Sequence, residues 1–285
     1  MNNLKKAIAL LLALTMLLCL GGCGSFEKKM AKAAAKMSRL NSMHMDMDVE
    51  LGMDISVMGQ SMEMEMSVDA GIDVNMEPYA AKMDLNVKAL GVSQNMQIYV
   101  IDEDGARRSY SSDDGGKTWT KGEAEDIDLD SSSLNAKDAL ALLAKWAESF
   151  AQDGEEKING SAATKYSGEI EAEYLMEALE LTGAKDKLEE ILGVDIDAVP
   201  DGIGNMPVSI WIDNKSYMIV RMEMDMTTLM QGILAQFLDE TISSSLADAG
   251  LEGLPMEMGI SKAVATMEYS QFDEVPTIEL PEGVK

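Results

Sequence analysis

Between residues 43 and 57 apolar and polar side chains alternate without a break. Met43, Met45, Met47, Val49, Leu51, Met53, Ile55 and Val57 hold one parity, and His44, Asp46, Asp48, Glu50, Gly52, Asp54 and Ser56 hold the other. Successive side chains of a strand point to opposite faces, so this pattern predicts a long strand with one buried and one wet face. Met58-Gly59-Gln60 reads as a turn. Met62, Met64, Met66 and Val68 then resume against Glu63, Glu65 and Asp69, which predicts an antiparallel hairpin. The alternation returns at Met83, Leu85, Val87 and Ala89, and again at Met96, Ile98 and Val100, so a four-stranded meander is expected.

Elsewhere the period changes. Phe26, Met30, Ala33, Ala34, Met37 and Leu40 recur every three or four residues and predict a helix over 26–40 with Ser25 as its N-cap. In 105–121, Ser112, Asp114, Gly116, Thr118 and Trp119 fit the S-x-D-x-G-x-T-W pattern and so resemble an Asp-box. It occurs once, which predicts a β-hairpin turn with a tryptophan packed below it and gives no support to a propeller. Asp126, Asp128 and Asp130 open like a calcium loop. Ser131 replaces the required glycine and Lys137 the bidentate glutamate, so 122–133 reads as a solvated acidic loop. Residues 134–152 predict an amphipathic helix, 156–170 a strand, and 171–181 and 185–192 two helical pieces. The segment 206–226 predicts a hairpin turning at Asn214-Lys215, its second strand placing Met218, Val220, Met222, Met224 and Met226 on one side. A helix over 228–249 and strands at 263–272 and 277–280 complete an α+β chain. A weak boundary near Asp153 divides two halves expected to share one sheet.

The N-terminus says where such a chain works. Lys5 and Lys6 precede an apolar run, 7–20, and two small residues, which predicts a secretory signal peptide over 1–22 and is too short for a membrane span. Leu20-Gly21-Gly22-Cys23 resembles the lipobox of bacterial lipoproteins. That resemblance implies that Cys23 takes a diacylglyceryl thioether, becomes the mature N-terminus and anchors the protein to the cell membrane on its extracytoplasmic face. The expected organisation is signal peptide 1–22, lipidated N-terminus and first helix 23–42, and a sheet domain over 43–285.

Charge and residue inventory then remove whole classes of function. Twenty-three Lys and Arg stand against 50 Asp and Glu, a net −27, which repels nucleic acid and anionic headgroups alike. Hydrophobic residues make up 46%, too many for a disordered acidic tail. Cys19 leaves with the signal and Cys23 carries lipid, so no disulfide, zinc cluster or cysteine nucleophile is available. One histidine, no triad and no glycine-rich phosphate loop argue against an enzyme, and no cofactor is expected.

The 25 methionines are the remaining chemistry. Thioethers suit Cu(I) or Ag(I), and Met45 and Met47 could oppose Met64 and Met66 across the hairpin. His44 projects to the other face. Leucine, valine and isoleucine exchange freely with methionine along the same stripes, which a core tolerates and a metal site does not. No metal ligands are therefore assigned. The stripe is an apolar sheet face, and methionine there fits either a re-packing cavity for acyl chains or apolar peptides, or an adaptable closed core.

Lipobox, first helix, meander and mid-chain helix are followed by "INGSAATKYSGEI", "VSIWIDNKSYMIVRMEMDM" and "FDEVPTIELPEGVK". Together they resemble the lipoproteins related to LolA and the mycobacterial LppX/LprG group over most of 26–285. The resemblance implies a large curved antiparallel sheet, an unclosed barrel, with helices covering a concave face that in several members carries lipid. It implies an apolar, lipid-like ligand on a face formed by Met45, Met47, Val49, Met64, Met66, Met83, Leu85, Met96, Ile98, Val220, Met222 and Met224. The alternatives are an acidic protein-interaction or sensor module with a closed core, and a methionine-based Cu(I) or Ag(I) binder.

Overall fold

The computed structural model describes residues 25–57, 59–103, 106–123, 146–182, 204–237, 256–281 and 284. The predicted meander forms as β1 (Ser42–Val57), β2 (Gln60–Met76), β3 (Tyr79–Ala89) and β4 (Val92–Glu103), each pair antiparallel. Gly59, at φ +80°, closes the first hairpin in the left-handed region that glycine adopts without a Cβ penalty. β5 (Ala106–Ser112) and β6 (Thr120–Glu123) pair across the Asp-box and extend the meander to one sheet edge.

The second half starts at the far edge and works back. β7 (Ala151–Ile158) pairs with β8 (Ser161–Ile170), β8 with β9 (Met206–Asp213), β9 with β10 (Ile219–Asp225), and β10 with β11 (Met256–Ser270). β11 then pairs with β1, giving one eleven-stranded sheet in the order β6-β5-β4-β3-β2-β1-β11-β10-β9-β8-β7. The sheet is open: β6 and β7 are its edges. Both halves share it, as the alternation implies.

Several boundaries move. The strand expected over 156–170 is a hairpin, because Asn159 and Gly160 at φ +48° and +83° make a tight turn matched to strand twist. The helix expected over 134–152 ends early. Trp146 and Ala147 are helical, Ser149 and Phe150 close the turn on their carbonyls, and β7 begins at Ala151. Its earlier part, the loop 122–133 beyond Glu123 and the helix at 185–192 lie outside the described residues. Residues 277–280 form no strand. The segment 273–278 instead straps the entry to β1: Asp273 N–H donates to Ser42 O, Asp273 Oδ1 accepts from Asn41 N–H at 2.6 Å, and Ile278 N–H donates to Asn75 Oδ1 at 2.8 Å.

Three helices are described: α1 (Ser25–Met37), α2 (Ala172–Thr182) and α3 (Thr227–Phe237). α1 stops three residues short of the expected end and lays Phe26, Met30 and Ala33 on the sheet, all buried. Phe26 stacks on Phe150 with centroids 4.6 Å apart and lies 4.9 Å from the Tyr166 ring. Gly168 makes that stack fit, since a Cβ there would meet the Phe150 ring at 2.7 Å. Below them Tyr166, Ile170, Met206, Val208, Ile210 and Ile212 complete the main core. α3 lies against β11, with Ile233 buried and Gln231 Nε2 donating to Ile260 O at 2.7 Å.

Candidate functional site

Because directly paired residues share a face, the ladder registers define the apolar side of the sheet. One row runs Tyr166, Ile210, Met222, Met267, Met47, Ala70, Leu85, Met96 across eight strands. The next runs Val208, Met224, Ala265, Val49, Val68, Val87. On the other flank Met45 pairs with Tyr269 and Ile72, then come Met83 and Ile98. Towards the β1–β2 turn, Leu51 pairs with Met66 and Met53 with Met64. Eleven of the twelve sequence-selected residues therefore lie on one face.

Val220 does not. β10 carries an extra residue between Ile219 and Arg221, which face Ile212 and Trp211 respectively. Such a bulge reverses the parity. Ile219 joins Ile212 in the main core, whereas Val220 and Met218 pack with Trp211, Ile158 and Ala163 on the opposite face. The expected single stripe from Met218 to Met226 is two half-stripes on opposite sides. The tight turn at Gly59 also sets a register in which Met45 and Met47 face Ile72 and Ala70, so they do not oppose Met64 and Met66.

Cover over this face is uneven. Under α1, Tyr166 and Ile212 are 0% and 1% exposed. Across β1 and β2, Met45, Met47, Val49, Leu51, Met53, Met64 and Met66 are all only half-buried, and Met62 reaches 57% exposure. Among the described residues, helices cover the second half of the sheet; in the first half Ala70, Ala81, Met83 and Val100 are buried, the last three in a second cluster with Ile72 and Ile98, and the half-buried methionine-rich stretch is that of β1 and the neighbouring part of β2. Within the covered part, Tyr166 Oη and Trp146 Nε1 are buried donors without a hydrogen-bond partner.

The polar face is a lattice of charges. His44 Nδ1 lies 2.7 Å from Asp73 Oδ1 and Nε2 lies 3.1 Å from Asp46 Oδ1. Burial pulls the imidazole down, but the bonds to Asp73 and Asp46 and their charges outweigh it, so its pKa is raised. Asp48 and Asp69 pair directly across β1–β2. Burial and the bond shared with Asp69 push Asp48 up, while Lys88, 2.7 Å away, holds Asp69 down. Arg221 binds Glu268, and Lys262 binds Glu50. Two open grooves, of about 440 and 620 Å³, lie on this polar side: one includes Asp46, Asp48, Asp69, Asp84 and Glu268, the other Glu50, Asp54, Glu63 and Glu65.

The Asp-box is a closed turn. Asp114 accepts from Thr118 N–H and Lys117 N–H at 2.9 Å and from the hydroxyls of Thr118 and Ser112. Those bonds, the Thr118 backbone first, hold its carboxyl far below the usual range. Trp119 packs edge-on against Tyr99, 5.5 Å between centroids. Asp213 does the same for the β9–β10 turn, accepting from Ser216 N–H, Ser216 Oγ and Lys215 N–H. Both motifs are structural.

Residues 25–285 match the family of unknown function DUF6612. The chain belongs to that family. No match is found among curated protein sequences. Among solved structures it is similar to the lipoprotein LppX of Mycobacterium tuberculosis, at 13% identity and TM-score 0.43, covering 90% of this chain and 98% of LppX. LprF of Mycobacterium bovis is similar at 18% identity and TM-score 0.49, covering 92% of this chain and all of LprF. A LolA superfamily protein from Nitrosomonas europaea is similar at 9% identity and TM-score 0.21, covering 92% and 97%. Among the described residues of the DUF6612 chain, no helix is long and apolar enough to cross a membrane.

Proposed function

We propose that this DUF6612 protein is a lipid-anchored extracytoplasmic binding protein that holds an apolar, acyl-type ligand against the half-buried, methionine-rich stretch of β1 and β2. The observation that carries this reading is the change in cover along one continuous apolar face. The same rows that are sealed under α1 at β8 and β9 are only half-buried at Met47, Val49 and Val68 among the described residues. Contiguous exposed apolar surface marks a site of interaction, and flexible thioether side chains can re-pack around chains of different length. Cys23 is the proposed anchor.

Native mass spectrometry of the full chain, released gently from its host membranes, tests the ligand. An adduct in the lipid mass range that is lost on denaturation supports the reading. A clean protein mass, even after lipids are offered, removes it. Detergent-phase partitioning of wild type against Cys23→Ala tests the anchor separately.

The polar face supports a second reading, a docking surface for a basic protein. Carboxylates outnumber lysines in both grooves, the second of which also holds Lys88 and Lys262, and the net charge of −27 would steer a cationic partner towards them.

A further inference from the structure

We propose that Met47, Met222 and Met267 form a thioether site for a soft monovalent cation, Cu(I) or its analogue Ag(I). The three residues come from three neighbouring strands, far apart in sequence, and are consecutive in one row: Met222 is paired with Met267, and Met267 with Met47. Directly paired residues have Cβ atoms about 4.5–5.5 Å apart, and each methionine carries its sulfur on three rotatable bonds. The two outer side chains can therefore lean inward over Met267 and bring three sulfurs to one point. The row is bounded by apolar non-ligands, Ile210 beyond Met222 and the small Ala70 beyond Met47.

All three methionines are half-buried, open enough for an ion to enter and apolar enough to disfavour a hydrated hard cation. The central sulfur is held in place: Tyr269 Oη lies 3.6 Å from Met267 Sδ and donates to it. Soft thioethers select Cu(I) over magnesium, calcium or manganese, which take oxygen ligands. Neutral thioethers also release no proton on binding. Affinity should hold when the pH falls from 7 to 5, whereas a site built on His44 or carboxylates would weaken.

This site does not rest on the acyl-ligand reading. It is tested by titrating Ag(I), which avoids redox chemistry, into the full chain carrying ¹³C-methyl methionine. The first equivalent is expected to shift the methyl resonances of Met47, Met222 and Met267 together. A Met47→Leu/Met222→Leu/Met267→Leu variant keeps the apolar volume, and so the fold. It should weaken that first site by at least the roughly 10–100-fold that loss of a supporting group costs a metal centre, while Met53→Leu/Met64→Leu leaves it intact. First-equivalent shifts spread over many methionines, or unchanged affinity in the triple variant, overturn the proposal. An acyl adduct that persists in the triple variant while Ag(I) binding is lost separates the two readings.

Discussion

His44 Nδ1 sits 2.7 Å from Asp73 Oδ1, so the imidazole of β1 is tied to the strand directly opposite it while its other nitrogen faces Asp46 at 3.1 Å. Both ring nitrogens meet carboxylates, which is the arrangement of an imidazolium. Lys82 of β3 stands across from Asp73, is hydrogen-bonded to Asp84 and also feels the Asp73 charge, so Asp73 makes its hydrogen bond to the histidine. Ser270 of β11 is the uncharged neighbour on the other side.

A stability dependence on pH follows with a definite sign. The folded-state pKa of His44 is raised, so its contribution is fully present below the unfolded value of about 6.5 and is lost as pH rises through the folded value. Charged hydrogen bonds are worth roughly 1.5–3 kcal/mol, and the exposure of Asp46 lowers that to about 1 kcal/mol here. Urea unfolding of wild type and His44→Gln should show a stability gap of this size at pH 5.5 that shrinks by pH 8.5. A gap that does not change with pH would contradict the clamp.

Gly168→Ala should destabilise the protein by about 1–3 kcal/mol, the range for forcing extra volume into a packed core. The new Cβ would fall 2.7 Å from the Phe150 ring and 2.9 Å from Ser149 O. Phe150→Leu costs stability alone but should recover part of the loss when combined with Gly168→Ala. A double-mutant cycle by thermal or urea unfolding reads the coupling directly. Strict additivity would show that Phe150 is not what Gly168 makes room for.

The sheet and its two-sided character were legible because strict alternation leaves little choice of face, as β1 to β4 demonstrate. What escaped was local. The Asn159-Gly160 turn is a strong hairpin signal that the apolar residues flanking it obscured, so two strands read as one. Val220 lies on the side opposite to the one its parity predicts, because a one-residue bulge carries no composition signal on a strand of Ile, Val and Met. The juxtaposition of Met222, Met267 and Met47 depends on β11 returning to pair with β1, a long-range pairing that no local pattern encodes.

Tyr166→Phe should be neutral or slightly stabilising. The residue is fully buried and its hydroxyl has no partner among the described residues, so the wild type carries the desolvation of an unmade hydrogen bond, about 1–3 kcal/mol. Removing the oxygen leaves the ring contact with Phe26 in place. Tyr166→Ala, by contrast, should cost roughly 3–5 kcal/mol through the cavity it leaves. Equilibrium unfolding distinguishes these outcomes. A marked loss of stability in the phenylalanine variant would mean that the hydroxyl has a partner, such as an ordered water.

The acyl-ligand reading makes a prediction about faces. Met64 and Glu65 are adjacent in sequence, half-buried on the apolar side and exposed on the polar side respectively. Met64→Lys places a charge on the half-buried apolar surface. If an acyl chain lies there, desolvating that charge costs several kcal/mol, so the adduct should fall by about a hundredfold or more. Glu65→Lys changes net charge by more and reaches the same strand, yet it leaves the apolar face untouched and should retain the adduct. Comparing adduct occupancy in the two variants, with folding checked by circular dichroism, separates a ligand held by the methionine face from one drawn to the molecule by charge. Equal loss in both would assign binding to the acidic surface instead.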